Sequence, residues 1–525
     1  MMFLWPLSLI SFLQSQSLLA ILLQSLIAVV LCHIAYYRRI HAACHVPGPF
    51  LASFSQLWLL WHTIVGIEQH YAHATAHAKY GSVIRIAPKK VIFSDPRHYP
   101  LVQTWDKARW WYCFRFGGDD HPITGHELNV EKHDVKRGRI AHAFSMTSML
   151  SYEARIDRHI GLFARQIGKF CNDGIQVNMA EWTKFLIMDI AMDVLYSHPL
   201  GDLESGRDVG NIIGFCRAYL TFTQIVGIYP ILYKIMQLPG IKNICGVRLT
   251  DKEGIGFLMG VAELQVHSRS TEFSKISAPC KDMLQSMLNW RSPTGERNKL
   301  EIVQNEVAGA TVAGSDPTGT ILRASILYIA TQPHVRERLL AEIDTADAAG
   351  QLSTPVRYNE ACALPYLEAV IREIFRIYPP SAAPLYRQVP DLGATIDGVF
   401  IPAGTSIGIN PWMAGRCTAI FGKDVDEFRP ERWLAPPEVE SESQEAKERR
   451  RLQKQGEINF GSGTFSCLGK NLVVVTLHKT LVELHREFDV FVVDPFKPLE
   501  AKNKLSWVHN DFWCRVVKRN IDRAK

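Results

Sequence analysis

The residues best placed to do chemistry gather around one cysteine. Cys467 lies in Phe460-Gly461-Ser462-Gly463-Thr464-Phe465-Ser466-Cys467-Leu468-Gly469, directly before the apolar run Leu472-Val473-Val474-Val475. Gly461, Gly463 and Gly469 let the backbone turn sharply and lie close to a flat object, because glycine has no Cβ and tolerates positive φ. A thiol at the mouth of a helix gains amide donors and a favourable dipole for its anion. An axial thiolate on haem iron has these requirements: a low thiol pKa and N–H groups aimed at sulfur. A buried structural cysteine beside a glycine turn is the plainer reading of the same residues.

Three further groups carry charge or hydrogen-bonding capacity. Glu373 and Arg376, in Ile371-Arg-Glu-Ile-Phe-Arg-Ile-Tyr-Pro-Pro, share a helix face at i, i+3 and can pair. His133 and Arg137 share a face at i, i+4, so both could donate to one carboxylate. Ala313-Gly314-Ser315-Asp316-Pro317-Thr318 falls in a long helix expected over about residues 300–332. Pro317 removes an N–H and crowds the carbonyl of Ala313, which predicts a kink and a freed carbonyl. Thr318 sits about 100° around the helix from Pro317. Its plainer role is to bond back to a carbonyl within the helix.

The spacing F-x-x-G-x-x-x-C-x-G resembles the haem loop of the cytochrome P-450 family, and the likeness recurs in order from about residue 45 to the C-terminus. The family's E-x-x-R helix is similar to Glu373 with Arg376, and its partner motif to Phe428-Arg-Pro-Glu-Arg-Trp433. The resemblance implies that Glu373, Arg376 and Arg432 form a buried network that locks the fold. It implies an oxygen-binding groove at Ala313 and Gly314, with Asp316 and Thr318 relaying protons. Pro317 departs from the pattern, standing where a hydroxyl residue is usual. The resemblance also implies heme b held by Cys467, with Phe460, Gly463 and Gly469 shaping the loop. His133, Arg137 and Arg387 are then propionate ligands. Phe465 departs again, standing where many relatives carry a propionate-binding arginine.

Elements must position these groups. The chain has 525 residues, 47% hydrophobic and 21% charged, which excludes a disordered or collagen-like protein. A net charge of +6 without a basic, aromatic-interleaved block does not point to nucleic acid. Eleven cysteines without C-x-x-C pairs fit a reducing compartment. No charged side chain precedes Arg38, and Leu18–Tyr37 is apolar over a length that spans a ~30 Å hydrocarbon core. Arg38 and Arg39 then place the positive flank, and the body, on the cytosolic side. The rival reading is a cleaved signal peptide, against which stand the length of the run and the missing positive n-region.

The domain expectation is an anchor over 1–39, a linker over 40–50 with Pro47-Gly48-Pro49, and one catalytic domain over 51–525. Within it, 51–80 is expected as helix, 82–94 as two strands, 130–345 as helical, and 382–409 as short strands. A last helix is expected over about 468–488, and Glu438–Lys454 as a solvated surface loop. The aromatic stretch Trp105, Trp110, Trp111, Tyr112, Phe114 and Phe116 suits either a pocket for a bulky apolar compound or contact with a membrane surface. The fold class is mainly α with small β-sheets.

The resemblance implies a haem-thiolate monooxygenase at the endoplasmic reticulum membrane, facing the cytosol, most similar to fungal members that oxidise terpenoids, polyketides or alkaloids. It would insert one atom of O2 into a hydrophobic small molecule. Electrons would come from NADPH through a separate cytochrome P-450 reductase, since no G-x-G-x-x-G after a strand is present. Two rivals share the fold: a reductase-independent isomerase or dehydratase, supported by Pro317, and a non-catalytic haem-binding protein.

Overall fold

The computed structural model describes residues 18–115, 122–241, 247–272, 282–434 and 443–519. Helix α1 (Leu18–Ala35) has no buried residue and continues as a π-turn through Ile40, three residues beyond the expected end. Leu18–Ile40 has mean hydropathy 2.5 and is the one helix among the described residues long and apolar enough to cross a membrane.

The chain between 51 and 80 is not one helix. A 3-10 turn (Leu51–Ser53) and a short helical stretch (57–65) precede α2 (Gln69–Tyr80). Ile67 adopts φ 54°, a left-handed conformation that no helix interior accommodates. Strands β1 (Val83–Ala87) and β2 (Lys90–Phe93) follow.

The helical body comprises α3 (Val130–Ile140), α4 (Glu153–Asn172), α5 (Met179–Tyr196), α6 (Ile212–Ile228), α7 (Leu300–Thr331) and α8 (Pro365–Ile377). Helix α5 is buried on nearly every side, charged residues included, and packs along α7 at the centre of the main core. Strands β3 (Arg387–Gln388) and β4 (Ser406–Ile409) complete a sheet of order β1-β2-β4-β3, parallel only between β2 and β4. That sheet carries Arg387 inward.

Helix α9 (Gln444–Gly456) replaces the expected loop over this stretch; residues 438–442 lie outside the described residues. Ser443 caps it by accepting the Ala446 N–H at 3.1 Å. Its sequence is built of strong helix formers, which the charge pattern disguises. It is docked, because Gln453 is buried and donates to the Arg432 carbonyl at 3.0 Å. Helix α10 (Lys470–Glu487) starts just after the Cys467 loop and leads into β5 (Phe488–Val492), which pairs with β6 (Trp513–Lys518).

Candidate active site

The Cys467 loop is built on two left-handed glycines. Gly461 (φ 70°) and Gly463 (φ 58°) reverse the chain, and a Cβ on Gly461 would sit 2.9 Å from the Phe465 carbonyl oxygen. The Cys467 N–H donates to the Phe460 carbonyl at 2.6 Å, which closes the loop. Gly469 is in right-handed conformation, and a Cβ there would lie 3.8 Å from the Cys467 sulfur, an ordinary van der Waals contact. The Phe460 ring packs 4.9 Å from Phe375 on α8.

Cys467 is accessible, yet it lies in a recess deep enough to desolvate it. Burial pushes its thiol up from the ordinary value, against the Gly469 and Lys470 amides and the Arg137 and Lys470 charges. The expectation of a low thiol pKa is therefore not met by the protein alone. A coordinated metal deprotonates a thiol outright.

Beneath the loop, Glu373 is fully buried and takes five donors: Arg376 Nε at 2.8 Å and Nη2 at 2.7 Å, Arg432 Nε at 2.9 Å, the Arg429 N–H at 2.8 Å and Trp433 Nε1 at 2.8 Å. Arg376 Nη1 continues to the Gly415 carbonyl at 2.8 Å and the Val425 carbonyl at 2.5 Å. The two-nitrogen fork of Arg376, with the single Nε of Arg432 beside it, fixes the plane of the carboxylate.

Helix α7 runs unbroken through Pro317. Ala313 is exposed, and a Cβ on Gly314 would meet nothing within 4 Å, so both border open space. Thr318 donates to the Gly314 carbonyl at 2.7 Å. Asp316 is half-buried, and its Oδ2 is sealed with no hydrogen-bond partner. Lys184 of α5 has a sealed Nζ without a hydrogen-bond partner, and burial takes its ammonium down to about 7 although the Asp316 charge opposes this.

Cationic side chains crowd the other side of the loop. The Arg387 guanidinium lies 3.9 Å from the Phe465 ring centre and Lys107 Nζ lies 4.8 Å from it. The His133 ring is 4.4 Å away, and burial with the Lys107 charge holds that imidazole down to about 4. Arg137 donates to the Ser466 carbonyl at 2.6 Å and to Ser466 Oγ at 3.0 Å.

The sequence model of the cytochrome P-450 family matches residues 52–511. The chain belongs to this family. It is similar to a cytochrome P-450 monooxygenase of Aspergillus terreus, 29% identical over 88% of this chain and 94% of the relative. The cytochrome P-450 monooxygenase gsfF of Penicillium aethiopicum is 27% identical over 91% of this chain and 92% of its own length. The monooxygenase aba1 of Botryotinia fuckeliana is 30% identical, with 90% and 91% covered. This cytochrome P-450 is accordingly an oxygen-incorporating oxidoreductase.

The family implies a haem-thiolate cofactor, and the residues present fit one. The Cys467 thiol is free and accessible, with the Gly469 and Lys470 amides aimed at its sulfur, and Gly463 and Gly314 leave room where a Cβ would meet nothing within 4 Å. Arg387 is buried with Nε and Nη1 lacking any hydrogen-bond partner, as a carboxylate-binding guanidinium without its carboxylate would be.

Two residues of this cytochrome P-450 escaped sequence reading. Lys107 is one of three basic residues in the aromatic stretch, with Arg109 and Arg115, and no periodic signal sets it apart. Glu306 lies two turns before Ala313 on the same face of α7, a spacing that could have found it. It is buried, which raises its carboxyl, and it accepts from the Thr124 N–H at 2.6 Å and Thr124 Oγ1 at 2.7 Å. A Cβ on Gly309 would fall 2.5 Å from Ile123, so this loop is clasped tightly to α7. The aromatic stretch packs inward: Trp110 is buried beside Gly227 of α6, and Trp111 Nε1 donates to the Tyr386 carbonyl at 2.9 Å. Phe116 lies outside the described residues.

Proposed function

We propose that this cytochrome P-450 inserts one oxygen atom of O2 into a hydrophobic secondary-metabolite intermediate, a terpenoid, polyketide or alkaloid. Electrons come from NADPH through a separate reductase. Leu18–Ile40 anchors it in the endoplasmic reticulum membrane with the catalytic body in the cytosol, following the positive flank at Arg38 and Arg39. The observation that carries the reading is an accessible Cys467 in a double-glycine loop, with exposed Ala313 and open Gly314 on α7 inside the same body.

Bound through Cys467, haem supplies oxygen activation, with the thiolate pushing electron density toward it. The protein's part is positional. Phe460, Gly463 and Gly469 shape the loop, and Arg387 and His133 hold the propionate edge. Ala313 and Gly314 leave room for oxygen and substrate. Asp316, with an unpartnered buried oxygen, passes protons inward from the Lys184 side, and the Thr318 hydroxyl receives them beside the Gly314 carbonyl.

The test is a reduced, carbon monoxide-bound difference spectrum beside Cys467→Ala. A strongly red-shifted Soret band that is lost in the variant supports thiolate ligation. An unshifted band in the wild type refutes it. An NADPH-independent turnover would instead favour the isomerase or dehydratase reading, which Pro317 supports.

A further inference from the structure

We propose that the Phe465 ring is the platform of this chain's haem-propionate site, on which Lys107 acts in place of a loop arginine. This rests on the haem reading above.

The cations beside Phe465 are out of balance with the acids around them. Lys107 and Arg387 are both buried, form an isolated antiparallel bridge through their backbones, and direct their cations at one phenyl ring. Two like charges so close in low dielectric repel strongly unless an anion lies between them. The nearby anions are engaged elsewhere. Glu127 pairs with Lys136 at 2.7 Å, and Glu306 is taken by Thr124 at 2.6 and 2.7 Å. The side-chain acceptor shown for Arg387 is the neutral Gln103 amide oxygen at 2.5 Å, and its Nε and Nη1 have none. Asp106, whose charge also acts on Arg387, is exposed to water and accepts the Val130 N–H at 2.9 Å, so among the described residues no buried carboxylate hydrogen-bonds either cation.

The ring explains how the cations are held without such a carboxylate. The negative face of an aromatic ring attracts ammonium and guanidinium groups, more so when desolvated. Lys107 Nζ is also 4.8 Å from the Trp111 ring centre, and it keeps one bond, to the Gly125 carbonyl at 2.6 Å. An ammonium has three donors, so two remain for a carboxylate. An arginine at position 465 would add a third cation to this pair.

Arg137 takes a second part beside the one its spacing suggested. Two of its five N–H groups go to Ser466, next to Cys467. It latches the cysteine loop to α3 and keeps three donors for the propionate edge that Lys107, Arg387 and His133 also face.

The test uses the holoenzyme and two readouts besides activity: the rate of haem transfer to excess apomyoglobin, and the propionate bending band in the resonance Raman spectrum. Lys107→Met is expected to speed haem loss about tenfold or more, the scale of one charge-assisted hydrogen bond, and to shift the propionate band. Lys107→Arg should restore both toward wild type. Phe465→Leu, which keeps an apolar side chain but removes the π-face, should speed loss by a smaller factor. Lys132→Met, an exposed change on α3, should do nothing. Lys107→Met with wild-type haem loss and an unmoved propionate band overturns the proposal. So do Lys107→Met and Lys107→Arg that lose haem equally, since packing rather than charge would then be at work. A wild type lacking the thiolate-type carbon monoxide band fails earlier, overturning the haem reading and this inference with it.

Discussion

Two buried charge clusters flank the Cys467 loop, and they are built on opposite terms. Around Glu373 the account closes: one carboxylate takes five donors, and Arg376 and Arg432 spend their remaining N–H groups on carbonyls and Asp424. Around Phe465 it stays open, with Arg387 keeping two sealed nitrogens without a hydrogen-bond partner. A closed cluster holds a fold, because any change to it strands a buried charge. An open one holds a place for something else. Helix α7 repeats the contrast on a smaller scale, since Thr318 is bonded and Asp316 Oδ2 is not.

The hardest way to break the contrast is Glu373→Ala. It would leave Arg376 and Arg432 buried and facing each other, a loss of about 3–5 kcal/mol for a broken buried pair. The expected outcome is no accumulation of folded holoprotein, read as loss of the haem band and of a cooperative melt. A variant that melts within a few degrees of wild type would show that the cluster is not closed in the sense argued.

On α7 the open group should matter more than the bonded one. Asp316→Asn is expected to lower turnover about 10²-fold, within the usual range for a proton-transfer residue, while haem content stays unchanged. Thr318→Ala should lower it less and raise hydrogen peroxide release per NADPH consumed. Equal losses in both would remove the distinction.

Legibility in the sequence followed the same division. Glu373, Arg376 and Arg432 were readable because closed networks need fixed residue types at fixed spacing, and short motifs record them. The Cys467 loop was readable because its left-handed turns demand glycine. Lys107 was not, since it reaches Phe465 across 358 positions of sequence, and only the fold brings a loop lysine to that ring. Helix α9 was misread as loop because charge pattern and helix propensity point in different directions there. Neither the substrate nor the position of oxidation has any such local signature.

A third cluster is closed but titratable. His478 on α10 sits 2.9 Å from Glu368 on α8, beside Cys362 and Tyr358, with Nδ1 2.7 Å from the Val474 carbonyl. Burial alone would lower this imidazole, but bonds to Cys362 and Glu368 raise it to about 9. A raised folded-state pKa stabilises fully below the unfolded value of 6.5 and is lost as pH rises through about 9. Unfolding free energy should therefore fall by about 1–3 kcal/mol between pH 6.5 and 9.5 from this group, measured by denaturant titration. Glu368→Gln should flatten that slope. A slope unchanged in the variant would place the dependence elsewhere.

The smallest effect is expected where a pair exists but closes nothing. Arg451 and Glu448 on α9 lie 3.1 Å apart at i, i+3, with side chains 68% and 47% exposed. Water already solvates both ions, so forming the pair gains little and costs side-chain freedom. Glu448→Ala should shift stability by no more than about 0.5 kcal/mol and leave haem content and turnover untouched. The same deletion of a carboxylate at Glu373 removes the fold, although both carboxylates meet an arginine three residues on. The difference lies in what each arginine has left once its partner is gone: Arg451 has water, whereas Arg376 has only a few carbonyls and the charge of Arg432. A measured loss at Glu448 approaching that at Glu373 would mean that burial is not what separates the two, and the reading of the open Phe465 cluster would lose its physical basis.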